Sequence, residues 1–494
     1  MLKAFVGRDD TYICYRMWLC SGFYERCDRK RDRARAPSLA SRQRREVALS
    51  GLAALPSGPL RGDAAIPGDK SISHRALIIG ALAVGQTSIS GLLEADDVRR
   101  TAQALRQLGA TITGGADGVV GVHGRGVGGL GEPGDVLDLG NAGTGARLLM
   151  GVVAAHGFVS VFTGDESLRR RPMARVTAPL EEMGARITAR DGGRLPLTVR
   201  GTDDPMPITY RLPVPSAQVK SAILLAGLNT PGRTRVIEPV ATRDHTERML
   251  AAFGVEIAIA SAPDGGRVID LIGQPELPPQ IISVPGDPSA AAFPITAALV
   301  VPGSRVTTAG VGHNPLRRGL FEVLGEMGGR LEIVARSDEG GEPTVDVTAE
   351  FSALEGIEIA AERAPRMIDE YPILAVAAAC ARGRTVMHGL GELRVKESDR
   401  LAAIAAGLTA CGVRAEIAAD TLIVDGHGGP PPGGGHIQTH HDHRMAMSFL
   451  VLGMAARKPV TIDDGAPIAT SFPGFVALMS GLGGRIEAPT LRSA

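Results

Sequence analysis

The chain has 494 residues, 44% of them hydrophobic, a mean hydropathy of +0.08, and 53 each of Lys plus Arg and of Asp plus Glu. This length exceeds the roughly 250 to 300 residues at which single cores stop growing and predicts two domains. No run approaches the roughly 18 apolar residues of a membrane helix, and a balanced charge without a basic patch argues against nucleic acid. We therefore expect a globular protein that binds neither membranes nor nucleic acids.

Residues 1–50 differ from the rest of the chain. They carry 12 Lys plus Arg against 6 Asp plus Glu, and they hold the only Trp (Trp18), three of the five Cys and two of the 64 Gly. The six acids do not fit a transit peptide, and the apolar core of a signal peptide is missing. We expect residues 1–53 to be a disordered N-terminal extension or the product of a misassigned start codon.

Six short polar loops follow, each leading into an Ala- and Leu-rich helical stretch. The steps from loop to loop are 71, 75, 71, 82 and 73 residues, and the loops are 70–75, 141–144, 216–220, 287–290, 369–372 and 442–445. A second pattern, an amphipathic helix that ends at Gly before a strand, recurs in the same phase at 105–109, 180–184, 250–254, 324–328, 408–412 and 478–483. Because solenoid repeats run about 20 to 50 residues, this longer period predicts six βαβαββ-like units, three in each of two domains.

The helix starts are candidate anion sites. A helix that begins at a polar loop presents unpaired N–H groups and the positive end of its dipole, and small residues let the backbone approach a ligand closely. Six cations fall at these loops or at loop-to-helix junctions, where they would suit phosphate or carboxylate oxygens: Lys70, Arg75, Arg171, Lys396, Arg400 and Arg444. Taken singly, each could be a solvated surface cation. Six cations in phase with the repeat, at helix starts that could face one cleft, three from each domain, favour a pair of anionic substrates.

Carboxylates stand beside these cations. Asp369 opens the fifth loop, and Glu397 lies within the segment 394–400. A Lys, an Asp and a Glu in one cleft could act as general acid and base. Two structural alternatives stay open, because Asp369 could be only a helix cap and Lys396 could form only a helical charge pair.

Three other patterns predict no chemistry. Gly68-Asp69-Lys70-Ser71 lacks the Gly-Lys pair and the upstream glycines of a nucleotide-binding loop. Adjacent residues in His440-His441-Asp442-His443 cannot all point at one metal ion, and Asp442 sits where the sixth repeat needs a cap. Cys380 and Cys411 lie in apolar helical stretches and are expected to be buried rather than reactive.

Taken together, the loops resemble a known family. The motifs that carry the resemblance occur in order from about residue 57 to the end, and they are similar to those of the 5-enolpyruvylshikimate-3-phosphate synthase family, bacterial type: Pro67-Gly68-Asp69-Lys70-Ser71-Ile72-Ser73-His74-Arg75, Gly140-Asn141-Ala142-Gly143-Thr144, Arg171-Pro172-Met173, Ser216-Ala217-Gln218, Arg394-Val395-Lys396-Glu397-Ser398-Asp399-Arg400 and Asp442-His443-Arg444-Met445-Ala446-Met447.

The resemblance implies an α/β fold of two similar domains, each of three βαβαββ units arranged as an inside-out α/β barrel, that close on substrate. The implied first domain is 54–68 plus 284–494 and the second is 69–283, with the active site in the cleft between them. The implied reaction transfers the enolpyruvyl group of phosphoenolpyruvate to the 5-hydroxyl of shikimate 3-phosphate and releases phosphate, on the shikimate pathway to chorismate and aromatic amino acids. No metal or cofactor is implied, and we expect a cytoplasmic monomer.

The resemblance also implies residue roles. Asp369 is the expected base toward the hydroxyl, with Lys70 and Glu397 near the enol carbon. Two sets of expected contacts follow, and they share Lys70 and Gln218. Shikimate 3-phosphate is expected to contact Lys70, Ser71, Arg75, Ser216, Ala217, Gln218, Asp369 and Lys396. Phosphoenolpyruvate is expected to contact Lys70, Asn141, Gly143, Arg171, Gln218, Arg400 and Arg444.

The chain departs from the family pattern at two positions. Thr470 stands where some members carry a Lys, and Ala217 stands where some carry a second Ser. Both features resemble the branch that includes glyphosate-tolerant enzymes, where Ala occupies the position of Gly143. Because this chain has Gly143, we expect glyphosate to inhibit it in competition with phosphoenolpyruvate.

Two rival functions remain to be weighed. The related transferase acting on UDP-N-acetylglucosamine generally carries a reactive Cys in a mobile loop, and this chain has no Cys from 28 to 379. A catalytically silent anion binder would need only the cations, whereas this chain also keeps Asp369 and Glu397. Release of phosphate from the two substrates would distinguish an enzyme from a binder.

Overall fold

The computed structural model describes residues 50–114, 118–262, 265–336 and 341–488, which belong to one compact unit, Leu49–Ala494. In chain order the strands are β1 (Ser50–Leu55), β2 (Arg61–Ala64), β3 (Gln86–Ser90), β4 (Thr111–Gly114), β5 (Val120–His123), β6 (Leu137–Asp138), β7 (Val159–Thr163), β8 (Arg186–Arg190), β9 (Arg194–Arg200), β10 (Thr209–Arg211), β11 (Arg233–Glu238), β12 (Ile257–Ser261), β13 (Arg267–Ile272), β14 (Ile281–Ser283), β15 (Arg305–Gly312), β16 (Arg330–Ala335), β17 (Thr344–Glu350), β18 (Glu358–Ile359), β19 (Arg382–Met387), β20 (Arg414–Ala418), β21 (Thr421–His427), β22 (His436–Ile437), β23 (Val460–Asp464) and β24 (Arg485–Glu487).

The α-helices are α1 (Lys70–Ala81), α2 (Asp96–Gln107), α3 (Gly143–Ala154), α4 (Glu166–Arg170), α5 (Ala174–Glu182), α6 (Ala217–Leu228), α7 (His245–Ala252), α8 (Pro288–Val300), α9 (Gly319–Glu326), α10 (Ala364–Met367), α11 (Tyr371–Cys380), α12 (Arg400–Ala410), α13 (His443–Ala455) and α14 (Phe475–Gly481). Short 3-10 helices cover Ala361–Arg363, Gly391–Val395 and Ala466–Thr470.

The described strands form six four-stranded sheets that share one pattern. Their spatial orders are β14-β3-β5-β4, β6-β7-β9-β8, β10-β11-β13-β12, β2-β15-β17-β16, β18-β19-β21-β20 and β22-β23-β1-β24. In each sheet the first pair of strands is parallel and the other two pairs are antiparallel. In four sheets a central helix lies between the two parallel strands and supplies the crossover that such a pair needs. The pairs β2–β15 and β3–β14 instead join strands from distant parts of the chain, and β1 completes the sixth sheet. The predicted sixfold repetition is confirmed, with three of the six βαβαββ units completed by a strand from elsewhere in the chain.

Two separate hydrophobic cores divide this fold. One core takes its residues from Leu52 to Ala64 and from Ala290 to Leu482, and the other takes them from Ile72 to Val284. We call the part around the former the first domain and the part around the latter the second domain. The chain passes between them at two adjacent segments, where Gly68 and Gly286 form an isolated antiparallel bridge.

The N-terminal boundary differs from the expected one. Strand β1 begins at Ser50, inside the range 1–53 that was predicted to be an extension, and it pairs with β23 and β24. Residues 50–53 therefore belong to the sixth sheet, because their backbone groups complete its ladder. Residues 1–49, and with them the remainder of the predicted extension, lie outside the described residues.

The six repeated loops lead into six central helices, α1, α3 and α6 in the second domain and α8, α11 and α13 in the first. Every residue of α8 and of α11 is buried, as expected for a helix that is apolar all round. Close packing needs small residues, since a Cβ on Gly151 of α3 would lie 2.3 Å from the carbonyl oxygen of Ala222 in α6. The Ala-rich composition of these helices is thus explained by their central position.

The predicted Gly stops also occur as expected. Gly109, Gly184, Gly254, Gly328, Gly412 and Gly483 follow the outer helices with φ between +75° and +107°. A helix commonly ends at a residue in this left-handed region, which Gly adopts without a steric penalty.

The two cysteines among the described residues, Cys380 and Cys411, are buried and free, as predicted. Burial raises the pKa of Cys380 to about 12 and that of Cys411 to about 11, so both stay thiols near neutral pH. Within the same described ranges no helix has the length and apolar character to cross a membrane.

Candidate active site

A cavity of about 550 Å³ lies between the two domains, where the central helices begin. Its wall includes residues at or just before the start of all six central helices. Side chains at these starts accept from the helix backbone in four cases: Asp69 from Ile72 N, Ser216 from Val219 N, Asp287 from Ser289 N and Asp442 from Arg444 N. The predicted convergence of the loops on one cleft is therefore observed.

Twelve of the fourteen predicted site residues line this cavity, so the motifs in the sequence converge on one place in the structure. They are Lys70, Ser71, Asn141, Gly143, Arg171, Ser216, Ala217, Gln218, Asp369, Lys396, Glu397 and Arg444. The two others, Arg75 and Arg400, lie behind the wall.

Arg75 is buried among the helices of the second domain. Its guanidinium donates to the hydroxyls of Thr246 (2.7 Å) and Ser221 (2.9 Å) and to the carbonyl of Ser71 (3.0 Å), and burial lowers its pKa to about 10. Since neighbouring hydroxyls satisfy it, this structure places Arg75 beneath Ser71 rather than in the cavity. Its direct contact with shikimate 3-phosphate stays a prediction.

Asp369 is surrounded by cations. Lys396 Nζ and Arg400 Nη1 each lie 3.2 Å from its Oδ1, and Arg243 forms an ion pair with its Oδ2. Arg444 Nη1 donates to its backbone carbonyl at 3.0 Å. Burial opposes ionisation, but Lys396, Arg243, Arg444 and Arg400 outweigh it and hold the pKa of Asp369 well below the usual 3.8. Asp369 is thus a charged residue of the cleft and not a helix cap, and Lys396 pairs with it and not along a helix.

Glu397 lies on the opposite side of Arg400. Its Oε2 is 2.6 Å from Arg400 Nη2, and its Oε1 is 3.5 Å from Arg171 Nη1, which belongs to the other domain. Burial raises the pKa of Glu397, but Arg400 and Arg171 hold it well below the usual 4.5. Arg400 therefore contacts both carboxylates, Asp369 through Nη1 and Glu397 through Nη2. Asp442 holds the same guanidinium through Nε at 2.7 Å.

Lys70 joins the two domains at the first central helix. Its Nζ lies 2.9 Å from Asp97 Oδ2, and its backbone N–H donates to Asp287 Oδ2 of the first domain at 3.2 Å. The Lys70 side chain is thus held in the cavity by a carboxylate of its own domain and positioned by a cap residue of the other.

A second cluster surrounds Gly143. Arg171 Nη2 donates to Asn141 Oδ1 at 2.6 Å, and Asn141 Nδ2 donates to Asp165 at 2.7 Å. A Cβ on Gly143 would lie 2.8 Å from Arg171 Nη1 and 3.1 Å from Arg147 Nη1. The absence of a side chain at Gly143 therefore keeps these two guanidinium groups at the cavity wall.

Gln218 has a fixed amide orientation. Arg147 Nη1 donates to Gln218 Oε1 at 2.9 Å, and Gln218 Nε2 donates to the hydroxyl of Thr144 at 3.0 Å. Because a guanidinium can only donate, the oxygen of the amide must face Arg147. The nitrogen thereby faces Thr144 at the start of α3.

Several polar or charged residues of the cavity wall were given no role from the sequence, although Thr144 and His443 lie within its motifs. They are Asp97, Thr144, Arg147, Arg175, Arg243, Arg317, Glu392 and His443. Arg147 lies one turn after Gly143 on the same face of α3, and this spacing could have indicated it. Nothing local distinguishes Arg243 or Arg317, because they reach the cavity only through the packing of the domains.

Thr470, one of the two departures from the family pattern, lies outside the cavity. Thr470 donates its hydroxyl to the carbonyl of Pro467 at 2.7 Å inside a 3-10 helix and is not part of the cavity wall.

Burial and Lys70 lower the pKa of His443 to about 3, so this wall residue is neutral at physiological pH. Within the described residues, His, Cys, Asp and Glu form no group of three placed to hold a metal ion.

The fold and cavity define a class of protein: a two-domain α/β protein in which six helix N-termini converge on one cleft that is lined by arginines, lysines and carboxylates. Residues 55–479 match the family model described as EPSP synthase (3-phosphoshikimate 1-carboxyvinyltransferase). The chain belongs to this family.

Individual relatives agree with this assignment. A 3-phosphoshikimate 1-carboxyvinyltransferase of Parvibaculum lavamentivorans is 61% identical over 434 residues, which cover 88% of this chain and 96% of the relative. One from Rhodospirillum rubrum is 61% identical over 435 residues, covering 87% and 96%. A solved structure of EPSP synthase from Acinetobacter baumannii matches with a TM-score of 0.79 and 43% identity, covering 89% of this chain and 100% of that one.

Proposed function

We propose that this protein transfers the enolpyruvyl group of phosphoenolpyruvate to the 5-hydroxyl of shikimate 3-phosphate, and that the cavity between its domains is the active site. One observation carries the proposal: Lys70, Asp369 and Glu397 share a single cavity with the cations that two phosphorylated acids require. Membership of the family supplies the reaction, and the geometry supplies the candidate groups.

The reaction is an addition followed by an elimination. The hydroxyl oxygen forms a bond to C2 of phosphoenolpyruvate and loses its proton, while C3 gains a proton and becomes a methyl group. In the second step a C3 proton leaves, the double bond re-forms, and the bond from C2 to the phosphate oxygen breaks. No atom is oxidised or reduced, so the chain needs groups that bind anions and move protons.

Asp369 is the proposed base for the hydroxyl. In the structure its carboxylate is held by Arg243, Lys396 and Arg400, which makes it a weak base. Substrate phosphate and carboxylate groups would compete for those cations, and sharing them raises the pKa of the carboxylate. Binding of the substrates therefore strengthens the base at the moment when it is needed.

Lys70 and Glu397 are the proposed groups at the enol carbon. Lys70 can donate a proton and, as a cation, stabilise negative charge, whereas Glu397 accepts and returns a proton. Arg171, Arg400 and Arg444, with Asn141, Gly143 and Gln218, are proposed to hold phosphoenolpyruvate. Ser71, Arg75, Ser216, Ala217, Gln218 and Lys396 are proposed to hold shikimate 3-phosphate. Arg243 joins them because it lines the cavity and pairs with Asp369, the proposed base for the hydroxyl of that substrate.

Three further properties are proposed from the family. The domain limits are 54–68 plus 284–494 and 69–283, with β1 extending the former back to Ser50. The protein is proposed to act in the cytoplasm as a monomer without a cofactor. Glyphosate is proposed to compete with phosphoenolpyruvate, because Gly143 leaves the space beside Arg171 open.

A phosphate-release assay tests the proposed function. Purified protein should release phosphate only when both substrates are present, and mass spectrometry should detect the enolpyruvyl ether. Each substrate alone serves as the control. Ligand-induced thermal stabilisation without phosphate release would instead identify a silent anion binder and refute the proposal.

A further inference from the structure

Four buried polar side chains join the two domains beside the cavity. Asp244 and His245 belong to the second domain, and Asn314 and Glu342 belong to the first. Asn314 Nδ2 donates to Asp244 Oδ1 at 2.7 Å and to Glu342 Oε2 at 2.9 Å, and His245 Nδ1 donates to Glu342 Oε1 at 2.6 Å. All four residues are 6% exposed or less, so this is an interior contact and not a solvated rim.

The cluster is directly attached to the cleft. Arg243, the residue before Asp244, forms the ion pair with Asp369 across the same domain boundary. Consecutive Cα atoms are about 3.8 Å apart, so fixing Asp244 and His245 limits where the base of the Arg243 side chain can lie. Three residues in a row thus contact the opposite domain, two of them in its interior and one in the cavity.

The orientation of Asn314 leaves little freedom in this cluster. Its Oδ1 accepts from the backbone N–H of Leu316 at 2.9 Å, so its Nδ2 must face the two carboxylates. Burial raises the pKa of Glu342, but His245, Asn314 and Arg248 lower it below its usual value, which keeps it charged. A charged Glu342 and a donating Asn314 together hold Asp244 and His245 in place.

Stability alone is a weak explanation for such a cluster. Burying carboxylates costs several kcal/mol per ion before their partners offset it, and apolar residues of similar volume often stabilise a fold as well or better. The directional hydrogen bonds of this cluster instead fix the position of Asp244 and His245 relative to the first domain.

We propose that Asn314 and Glu342 are positioning residues that hold Arg243 in the active-site cleft from the opposite domain. This inference rests on the proposed function, in which Arg243 contacts shikimate 3-phosphate. Asn314 and Glu342 act through Asp244 and His245 and do not touch the substrate.

The variant Asn314→Asp tests the proposal with almost no change of shape. It keeps the oxygen that accepts from Leu316 but sets a third carboxylate against Asp244 and Glu342. Binding of shikimate 3-phosphate, measured by titration calorimetry on the full chain, should weaken roughly 10- to 150-fold, the effect expected for losing one hydrogen bond to a charged group.

The double variant with Arg243→Ala distinguishes positioning from general damage. If Asn314 acts through Arg243, adding Asn314→Asp to Arg243→Ala should weaken binding no further than Arg243→Ala alone, because the two changes are coupled. Normal binding by Asn314→Asp, or losses that multiply in the double variant, would overturn the proposal.

Two further variants keep the test decisive. Thr308→Val is the matched control, because Thr308 is also buried in the first domain, where its hydroxyl donates to Val347 O at 3.2 Å; it should bind substrate as the parent does. If Asn314→Asp does not fold, Glu342→Gln is measured under the same two criteria. Turnover by the parent protein separates the outcomes: its absence refutes the proposed function, whereas normal turnover with normal binding by the variants refutes only this inference.

Discussion

The second domain lines the cavity with five cations and one carboxylate, whereas the first domain lines it with three cations and five carboxylates. The former set is Lys70, Arg147, Arg171, Arg175, Arg243 and Asp97, and the latter is Arg317, Lys396, Arg444, Asp287, Glu362, Asp369, Glu392 and Glu397. The six units share one architecture, yet their charges differ by domain. Under the proposed roles, the second domain supplies most of the cations together with Lys70 as a proton donor, and the first domain supplies Asp369 and Glu397, the two carboxylates proposed to move protons.

The ion pairs that cross the cavity follow from this asymmetry. Arg243 pairs with Asp369, and Arg171 lies 3.5 Å from Glu397. Each pair joins a cation of the second domain to a carboxylate of the first. Under the proposed function, substrate anions compete with these two carboxylates for the same cations.

The largest expected effect comes from removing the proposed base while keeping its shape. Asp369→Asn should bind both substrates but lose turnover by about 100- to 10,000-fold, the usual contribution of a general base. The measurement is kcat from phosphate release together with calorimetric Kd values. Asp425→Asn is the control, because Asp425 is a strand residue outside the cavity that pairs with Arg384. A kcat of Asp369→Asn within a few-fold of the parent value would show that Asp369 is not the base.

Arg444→Ala should affect binding more than chemistry. Loss of one charge-assisted hydrogen bond costs about 1.5 to 3 kcal/mol, so KM for phosphoenolpyruvate should rise roughly 10- to 150-fold. KM for shikimate 3-phosphate should change much less. Arg414→Ala, on an exposed strand of the same domain, provides the control, and an equal rise in both KM values would contradict the assignment.

Lowering the pH should reduce the stability that Asp369 and Glu397 contribute through their ion pairs across the domain boundary. Asp369 and Glu397 have pKa values held below their usual 3.8 and 4.5, so their contribution to stability is complete above about pH 4.5 and is lost as the pH falls through the lowered values. Each such group adds at most about 1.4 kcal/mol of unfolding free energy per pH unit in that range. Urea unfolding of Glu397→Gln between about pH 5 and pH 3 should show a shallower loss than the parent; an unchanged slope would refute the coupling.

Gly143→Ala probes the cation cluster of the second domain. The added Cβ would lie 2.8 Å from Arg171 Nη1, so the guanidinium must shift, and the space beside it that is proposed for phosphoenolpyruvate changes. We expect glyphosate inhibition to weaken more than binding of phosphoenolpyruvate, since glyphosate is the longer molecule. Competition kinetics measure both quantities. Gly58→Ala is the control, because Gly58 has open space around it. Equal glyphosate inhibition constants for Gly143→Ala and the parent would contradict the expectation.

The smallest effect is expected at the exposed edge of the cavity. Arg175 Nη1 and Glu392 Oε1 lie 2.9 Å apart across the domain boundary, with both side chains 40% exposed or more. Exposed pairs contribute about 0.2 to 1 kcal/mol, so Arg175→Glu should raise the KM values no more than about five-fold. Adding Glu392→Arg should restore them; failure of the double exchange to do so would show that the pair does not assist closure.

Much of the fold could be predicted because it depends on local signals. The Gly stops at 109, 184, 254, 328, 412 and 483 each end a helix at a positive φ, and the loop before each central helix is polar because a helix start needs partners for its N–H groups. These signals repeat in phase, so they indicated both the number of units and the convergence of the loops. The strand at Ser50 was missed because its neighbours in the sheet, β23 and β24, lie more than 400 residues away.

The amino-acid sequence by itself determined the repeating unit, the apolar central helices and twelve residues of the cavity wall, because each of these follows from periodicity, capping or a contiguous motif. Only the tertiary structure decided that Arg75 turns inward to Thr246 and Ser221, that Arg243 reaches Asp369, and that Asn314 and Glu342 hold the segment beside it. These contacts join residues far apart in the chain, and their partners are selected by how two domains pack, which no local pattern records.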